Sequence, residues 1–265
     1  MHSVMPSVQD SWVSGVRGRL FVRTWSPPQP ASCAPIVLLH DSLGSVALWR
    51  SFPEALCLAT GRPVVAYDRL GFGQSDAHPG ALDLDFVASE ATDDFAAVSA
   101  ALGLSRYIVF GHSVGGGMAV HCAAQLPDAC VGLITESAQA FVEAKTVAGI
   151  EAAKVLFQDE NQVRRLEKYH GDKAQWVLEA WIESWLHPDF ADWSLRPVLP
   201  AVRCPALVIH GSDDEYGSPS QPRLIAELSG GPSQLEIMAE TRHVPHRERE
   251  AAVVALVRDF LAPLP

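Results

Sequence analysis

Short apolar runs alternate with stretches of helical period along most of the chain. Residues 35–40, 63–68, 107–110, 130–135 and 205–210 are aliphatic or aromatic almost throughout. Such unbroken runs suit strands buried on both faces of a parallel sheet. A last strand is read at 234–238. Between them, 46–59, 83–102, 118–125, 221–228 and 247–261 read as helices, two of them ended by Gly61 and Gly103. Residues 11–26 carry two strand-like runs around Gly15 and Gly18, the opening of a β-hairpin. Pro27, Pro28 and Pro30 then force a loop. Strands alternating with helices predict an α/β fold with a mostly parallel central sheet of about eight strands, antiparallel at its start and flanked by helices on both faces.

One region breaks this rhythm. Residues 142–158, 161–170 and 173–186 read as successive helices between two strands. That is too long for an ordinary crossover. The expected division is a core of residues 1–138 and 196–265, with 139–195 inserted as a helical cap, or lid. The third of these helices places Val177, Trp181 and Trp185 four residues apart, on one face. The stripe docks the cap onto the core, or part of it, Trp181 and Trp185, roofs an apolar substrate pocket.

Composition narrows the function. A chain of 265 residues with 48% hydrophobic and 19% charged positions folds as a globular domain, with room for an insertion. A formal net charge of −11 argues against nucleic acid and anionic membrane surfaces as partners. The five cysteines are scattered, with no Cys-x-x-Cys pair, so reduced thiols in a cytoplasmic protein are expected rather than disulfides or a metal site. No signal peptide and no apolar run of membrane-spanning length is visible.

The chemistry centres on Gly111, His112, Ser113, Val114 and Gly115, a G-x-S-x-G pattern between the strand at 107–110 and the helix at 118–125. A strand turning sharply into a helix holds the central serine in a strained conformation with its hydroxyl raised above the sheet. The flanking glycines remove β-carbons that would clash. A serine nucleophile needs a base, and the base needs an orienting acid. Downstream, the strand at 205–210 runs into a carboxylate-rich loop with Asp213, Asp214 and Glu215, and His243 and His246 follow the last strand.

In these pieces, and in the segments 40–44 and 68–75, the chain resembles the α/β-hydrolase superfamily over nearly its whole length. The resemblance implies an α/β-hydrolase fold with Ser113 as nucleophile, Asp214 as acid and His243 as base. It also implies an oxyanion hole of the Ser42 and Val114 backbone N–H groups, and no cofactor. Glu136, after the next strand, is the rival acid, or else a residue anchoring the cap. Asp213 and Glu215 read as solvated loop charge, His112 as a packed residue, His246 as the opening of the last helix, and 68–75 as a structural turn. The chain departs from the family at Asp41, where glycine usually follows the histidine. That carboxylate, beside a site for negative charge, is expected to turn away from the pocket.

The implied activity is hydrolysis of a small, partly apolar carboxylic ester through an acyl-enzyme on Ser113. The enzymatic rival is C–C bond hydrolysis of a dienoic keto acid with the same triad. That substrate needs a cation in the pocket, for which Arg164 and Arg165 are the obvious pair. A ligand-binding or sensor protein on a hydrolase fold is the rival of another class. Ser113 at the elbow argues against epoxide hydrolases and haloalkane dehalogenases, which use aspartate there.

Overall fold

A computed structural model describes residues 5–29 and 33–265. The chain opens with the expected hairpin, β1 (Ser7–Ser14) and β2 (Arg19–Ser26). β3 (Ile36–Leu39), α1 (Phe52–Thr60), β4 (Val64–Tyr67), α2 (Phe86–Ser89) and α3 (Asp94–Ala101) follow. Then come β5 (Tyr107–His112), α4 (Val114–Gln125) and β6 (Cys130–Glu136). Three helices, α5 (Ala144–Leu156), α6 (Glu160–His170) and α7 (Ala174–Trp185), separate β6 from β7 (Ala206–Gly211). The chain closes with α8 (Ser220–Leu228), β8 (Ser233–Met238), α9 (Pro245–Glu248) and α10 (Glu250–Leu261).

The eight strands form one sheet in the order β1-β2-β4-β3-β5-β6-β7-β8. β2 is antiparallel to both its neighbours, and every pairing from β4 to β8 is parallel. The all-apolar strands explain themselves here, because alternate side chains of β3 enter opposite cores. Ile36 and Leu38 pack with Phe52 and Leu56 of α1 and Val253 and Val257 of α10. Val37 and Leu39 pack with Phe95 of α3, Met118 of α4 and Ile225 of α8. The C-terminal ends of β3, β5 and β7 therefore open on the same edge of the sheet, where loops of an open α/β sheet gather ligands.

Three helices expected as single pieces are broken. Residues 46–49 form only a 3₁₀ turn, because Arg50 takes a positive φ (55°) before Phe52 and Pro53 open α1 afresh. The helix expected at 247–261 is split at Arg249, between α9, which starts earlier at Pro245, and α10. The segment 83–102 is split into α2 and α3 by a turn that leaves helical geometry at Asp93 (φ −101°, ψ −100°), next to Glu90, whose side chain is buried in the core. The Tyr67 hydroxyl donates to its carboxyl group.

This buried acid makes stability depend on pH. Burial first, then the nearby Asp94 charge, pushes the Glu90 pKa from 4.5 up to about 8. The folded chain thus keeps a proton that the unfolded chain releases at lower pH. The contribution is intact below pH 4.5 and is lost as pH rises toward 8. Glu90→Gln keeps an acceptor for Tyr67 and cannot titrate. Its melting temperature is expected to fall less than that of the wild type between about pH 5 and pH 8. Parallel pH dependences by calorimetry would contradict this account.

Candidate active site

Ser113 sits between β5 and α4 with φ 55° and ψ −124°, a backbone conformation uncommon for a residue with a β-carbon. The glycines on either side make it possible. A β-carbon at Gly111 would strike the Gly115 carbonyl, and one at Gly115 would strike the Leu39 carbonyl. The turn is pinned by the Ser113 amide, which donates to the Glu136 carbonyl at 2.9 Å. Val114 then opens α4, whose first N–H groups have no helical partner.

β5, β7 and the loop after β8 bring three predicted residues together. His243 Nε2 lies 3.0 Å from Ser113 Oγ. His243 Nδ1 lies 2.9 Å from each oxygen of Asp214. An acceptor carboxylate at Nδ1 puts the ring proton there and leaves Nε2 free to accept from the serine. Asp214 Oδ1 is held by the amides of Tyr216 (2.8 Å) and Gly217 (3.0 Å). Burial works against the Asp214 charge, but the hydrogen bond and charge of His243 outweigh it and bring the pKa down to about 2. The carboxylate is therefore ionised throughout the neutral range.

Glu136, the rival acid, is engaged elsewhere. Its Oε2 lies 2.5 Å from Nδ1 of His246 in the core. His246 does not open the last helix, which starts at Glu250; it is the second residue of the short α9, with its side chain buried against Trp49. His112 is packed as expected, and its Nε2 lies 2.8 Å from the His243 carbonyl. Among the described residues, His112, Glu136 and His246 bring ligand-capable atoms within 4.8 Å of one another, as a metal site would need. Glu136 Oε2 is bonded to His246 and His112 Nε2 to the His243 carbonyl, while Glu136 Oε1 has no partner among the described residues.

Asp41 is where the geometry is less simple than a side chain turned away. Its Oδ1 accepts from the Leu43 amide at 3.1 Å, and its Oδ2 stands 3.4 Å from His112 Nδ1. Both contacts draw it behind the site, yet it still borders the cavity. Burial opposes its charge, but His112 beside it holds the carboxyl well below the usual range. The same pair raises the His112 pKa against the effect of burial.

The cavity above Ser113 has a volume of about 250 Å³ and is walled by Thr146 and Ile150 of α5, Trp181 and Trp185 of α7, and Tyr216. Ser42 borders it, and Val114 borders an adjoining lobe with both tryptophans. Trp185 is buried and Trp181 half-buried, so the stripe on α7 both packs and faces the cavity. Asp213 is exposed, as a solvated loop charge should be. Glu215 is not merely solvated, because its Oε2 accepts from the His243 amide at 3.2 Å. Arg164 and Arg165 are exposed on α6, bonded to Asn161 and Gln162, and do not reach the cavity. Gln139 lies outside the sequence reading altogether. It is buried with Oε1 3.3 Å from Ser113 Oγ, competing with His243 for the serine proton. Its one sequence signal is an amide placed just after a strand end that borders the nucleophile strand.

Known proteins resemble this chain in sequence and in fold. The family model described as the alpha/beta hydrolase fold matches residues 34–197. 1-Acylglycerol-3-phosphate O-acyltransferase ABHD5 of Sus scrofa is 34% identical over 117 residues, 44% of this chain. This chain thereby spans 33% of that relative's length. 2-Hydroxymuconate semialdehyde hydrolase of Pseudomonas sp. (strain CF600) is 27% identical over 86% of this chain and 87% of its own. Among solved structures, 2-hydroxy-6-oxo-6-phenylhexa-2,4-dienoate hydrolase from Rhodococcus sp. strain RHA1 superposes with a TM-score of 0.82, at 16% identity, over 97% of this chain and 99% of that one. At that identity the likeness is one of fold alone. No helix among the described residues is long and apolar enough to cross a membrane.

Proposed function

We propose, for a chain that belongs to the alpha/beta hydrolase family, that it cleaves a small, partly apolar carboxylic ester through an acyl-enzyme on Ser113. The observation that carries this reading is the hydrogen-bonded line from Ser113 through His243 to Asp214. His243 Nε2 takes the serine proton as Oγ attacks the carbonyl carbon. The carbonyl oxygen becomes an oxyanion and accepts from the Ser42 and Val114 amides. The imidazolium, steadied by Asp214, then protonates the leaving alkoxide. Water, deprotonated by the same histidine, releases the acid from Ser113.

Cavity size and lining support a small acyl group. Residues 139–195 act in this reading as a cap, contributing the tryptophan wall. A second reading is hydrolytic cleavage of a C–C bond, favoured by similarity over most of the chain to the semialdehyde hydrolase. Ester panels of rising acyl length, run beside a dienoic keto acid, separate the two.

The same panel tests the wall. Trp181→Ala is expected to move acyl-length preference by about tenfold, the worth of one or two methylenes in an apolar pocket. Trp185→Ala, in the buried part of the stripe, is expected to cost about 3–5 kcal/mol of stability. Unchanged acyl preference in Trp181→Ala would remove that residue from the pocket wall.

A further inference from the structure

The segment 68–75 was expected to be only a turn. Its Arg69 does something more specific. The guanidinium is buried at 4% exposure and stacks 4.2 Å over the Phe72 ring. Its Nη2 donates to the Asp41 carbonyl oxygen at 2.8 Å, and its Nε has no partner among the described residues. Two further donors converge on that oxygen, His40 Nδ1 at 2.8 Å and the Gly44 amide at 3.2 Å. The His40 tautomer follows from its other nitrogen. Nε2 accepts from the Arg69 amide at 3.2 Å, so the ring proton is on Nδ1 and points at Asp41. Burial, with the Arg69 charge beside it, pushes the His40 pKa well down and keeps the ring neutral.

The Asp41 carbonyl and the Ser42 N–H belong to one peptide group. A trans peptide aims its carbonyl and its N–H in opposite directions, and no cis bond occurs among the described residues. Donors gathered on the carbonyl therefore hold the Ser42 N–H on the other side, where Ser42 borders the Ser113 cavity. Of the amides of residues 42–44, Leu43 donates to Asp41 Oδ1 and Gly44 to the Asp41 carbonyl. Among the described residues none accepts from the Ser42 amide, which alone is left for a ligand.

We propose that Arg69 is a positioning residue for the oxyanion: its guanidinium fixes and polarises the Asp41–Ser42 peptide so that the Ser42 N–H donates more strongly to developing negative charge. This rests on the ester-hydrolase reading of Ser113. A charge-assisted hydrogen bond on the carbonyl strengthens the bond its N–H makes, and in a buried site little solvent screens the effect. The benefit appears as the substrate carbonyl becomes an oxyanion, so it belongs to kcat rather than to KM.

The test compares the wild type with Arg69→Met, Arg69→Gln and Arg69→Lys, each normalised to Ser113 titrated to completion with a fluorophosphonate. In the neutral variants, kcat per titrated serine is expected to fall about 10- to 100-fold, below the loss of a whole oxyanion donor. KM should stay within about twofold. Affinity for a trifluoromethyl ketone, whose adduct carries the oxyanion, should fall with kcat, and that for the methyl ketone should not. Arg69→Lys should recover part of the loss. A merely structural Arg69 would lower the titratable fraction and the melting temperature and leave kcat per serine unchanged, which would overturn the proposal. If Arg69→Met does not fold, Arg69→Gln is read in its place. In the wild type, the Ser42 amide proton should move downfield when the trifluoromethyl ketone binds, and a stationary resonance overturns the proposal without any variant. A wild type that neither turns over esters nor labels at Ser113 would overturn the hydrolase reading and this inference with it. Turnover and labelling in the wild type with unchanged kcat in the neutral variants would overturn this inference alone.

Discussion

Ser113→Ala is expected to lower ester turnover by about 10⁶ and leave the fold in place. The hydroxyl is the one group at the elbow that the chemistry of an acyl-enzyme cannot replace. Its removal deletes two contacts, to His243 Nε2 and to Gln139 Oε1. The turn itself is held by Gly111, Gly115 and the bond from the Ser113 amide to Glu136, none of which needs the hydroxyl. Alanine also bears a β-carbon at the same positive φ, so the substitution adds no backbone strain of its own. Melting temperature should therefore stay close to that of the wild type. A fluorophosphonate probe should label the wild type and not the variant. Labelling that persists in Ser113→Ala would mean that the reactive nucleophile lies elsewhere.

Asp214→Asn is the second large effect, with kcat expected to fall by about 10⁴ at nearly constant substrate binding. Both Asp214 oxygens face His243 Nδ1 and none faces the serine. An asparagine there offers an N–H₂ to the ring and favours the tautomer whose Nε2 carries a proton and cannot accept one. Glu136→Gln should have a much smaller effect on kcat, because the Glu136 carboxylate is bonded to His246 rather than to His243. Asp213→Asn, at an exposed loop position, should be smaller still. Steady-state kinetics on the three variants ranks them. A dead Glu136→Gln beside an active Asp214→Asn would assign the acid to the wrong strand end.

The sheet was legible because its strands are short, apolar on both faces and bounded by glycine or proline. β3, β4 and β7 each lie within a residue or two of their expected limits. The helices were legible only where nothing distant interrupts them. Within 83–102 the chain leaves helical geometry at Asp93, and buried Glu90 beside the break bonds Tyr67 on β4, a distant partner that the helical pattern does not show. The same limit governs the site. Ser113, Asp214 and His243 announce themselves through local turn chemistry at strand ends. Gln139 and Glu215 contribute through contacts to Ser113 and His243 that no local pattern encodes. Arg69 was visible only as part of a turn, because its partner Asp41 lies on a neighbouring strand's loop. The loop at 41–44 shows why a departure from the family pattern is tolerated. The Asp41 side chain bonds Leu43 and pairs with His112, while its main chain presents the Ser42 amide.

The central claim is a covalent intermediate on Ser113, and its most direct test is to trap that intermediate. The wild-type protein is incubated with a slowly deacylating aryl carbamate, and peptides are mapped by mass spectrometry as activity falls. The account predicts one carbamoyl group, on Ser113, rising in proportion to lost turnover and absent from Ser113→Ala. Inactivation with the adduct on another residue, or with none on Ser113, would contradict it.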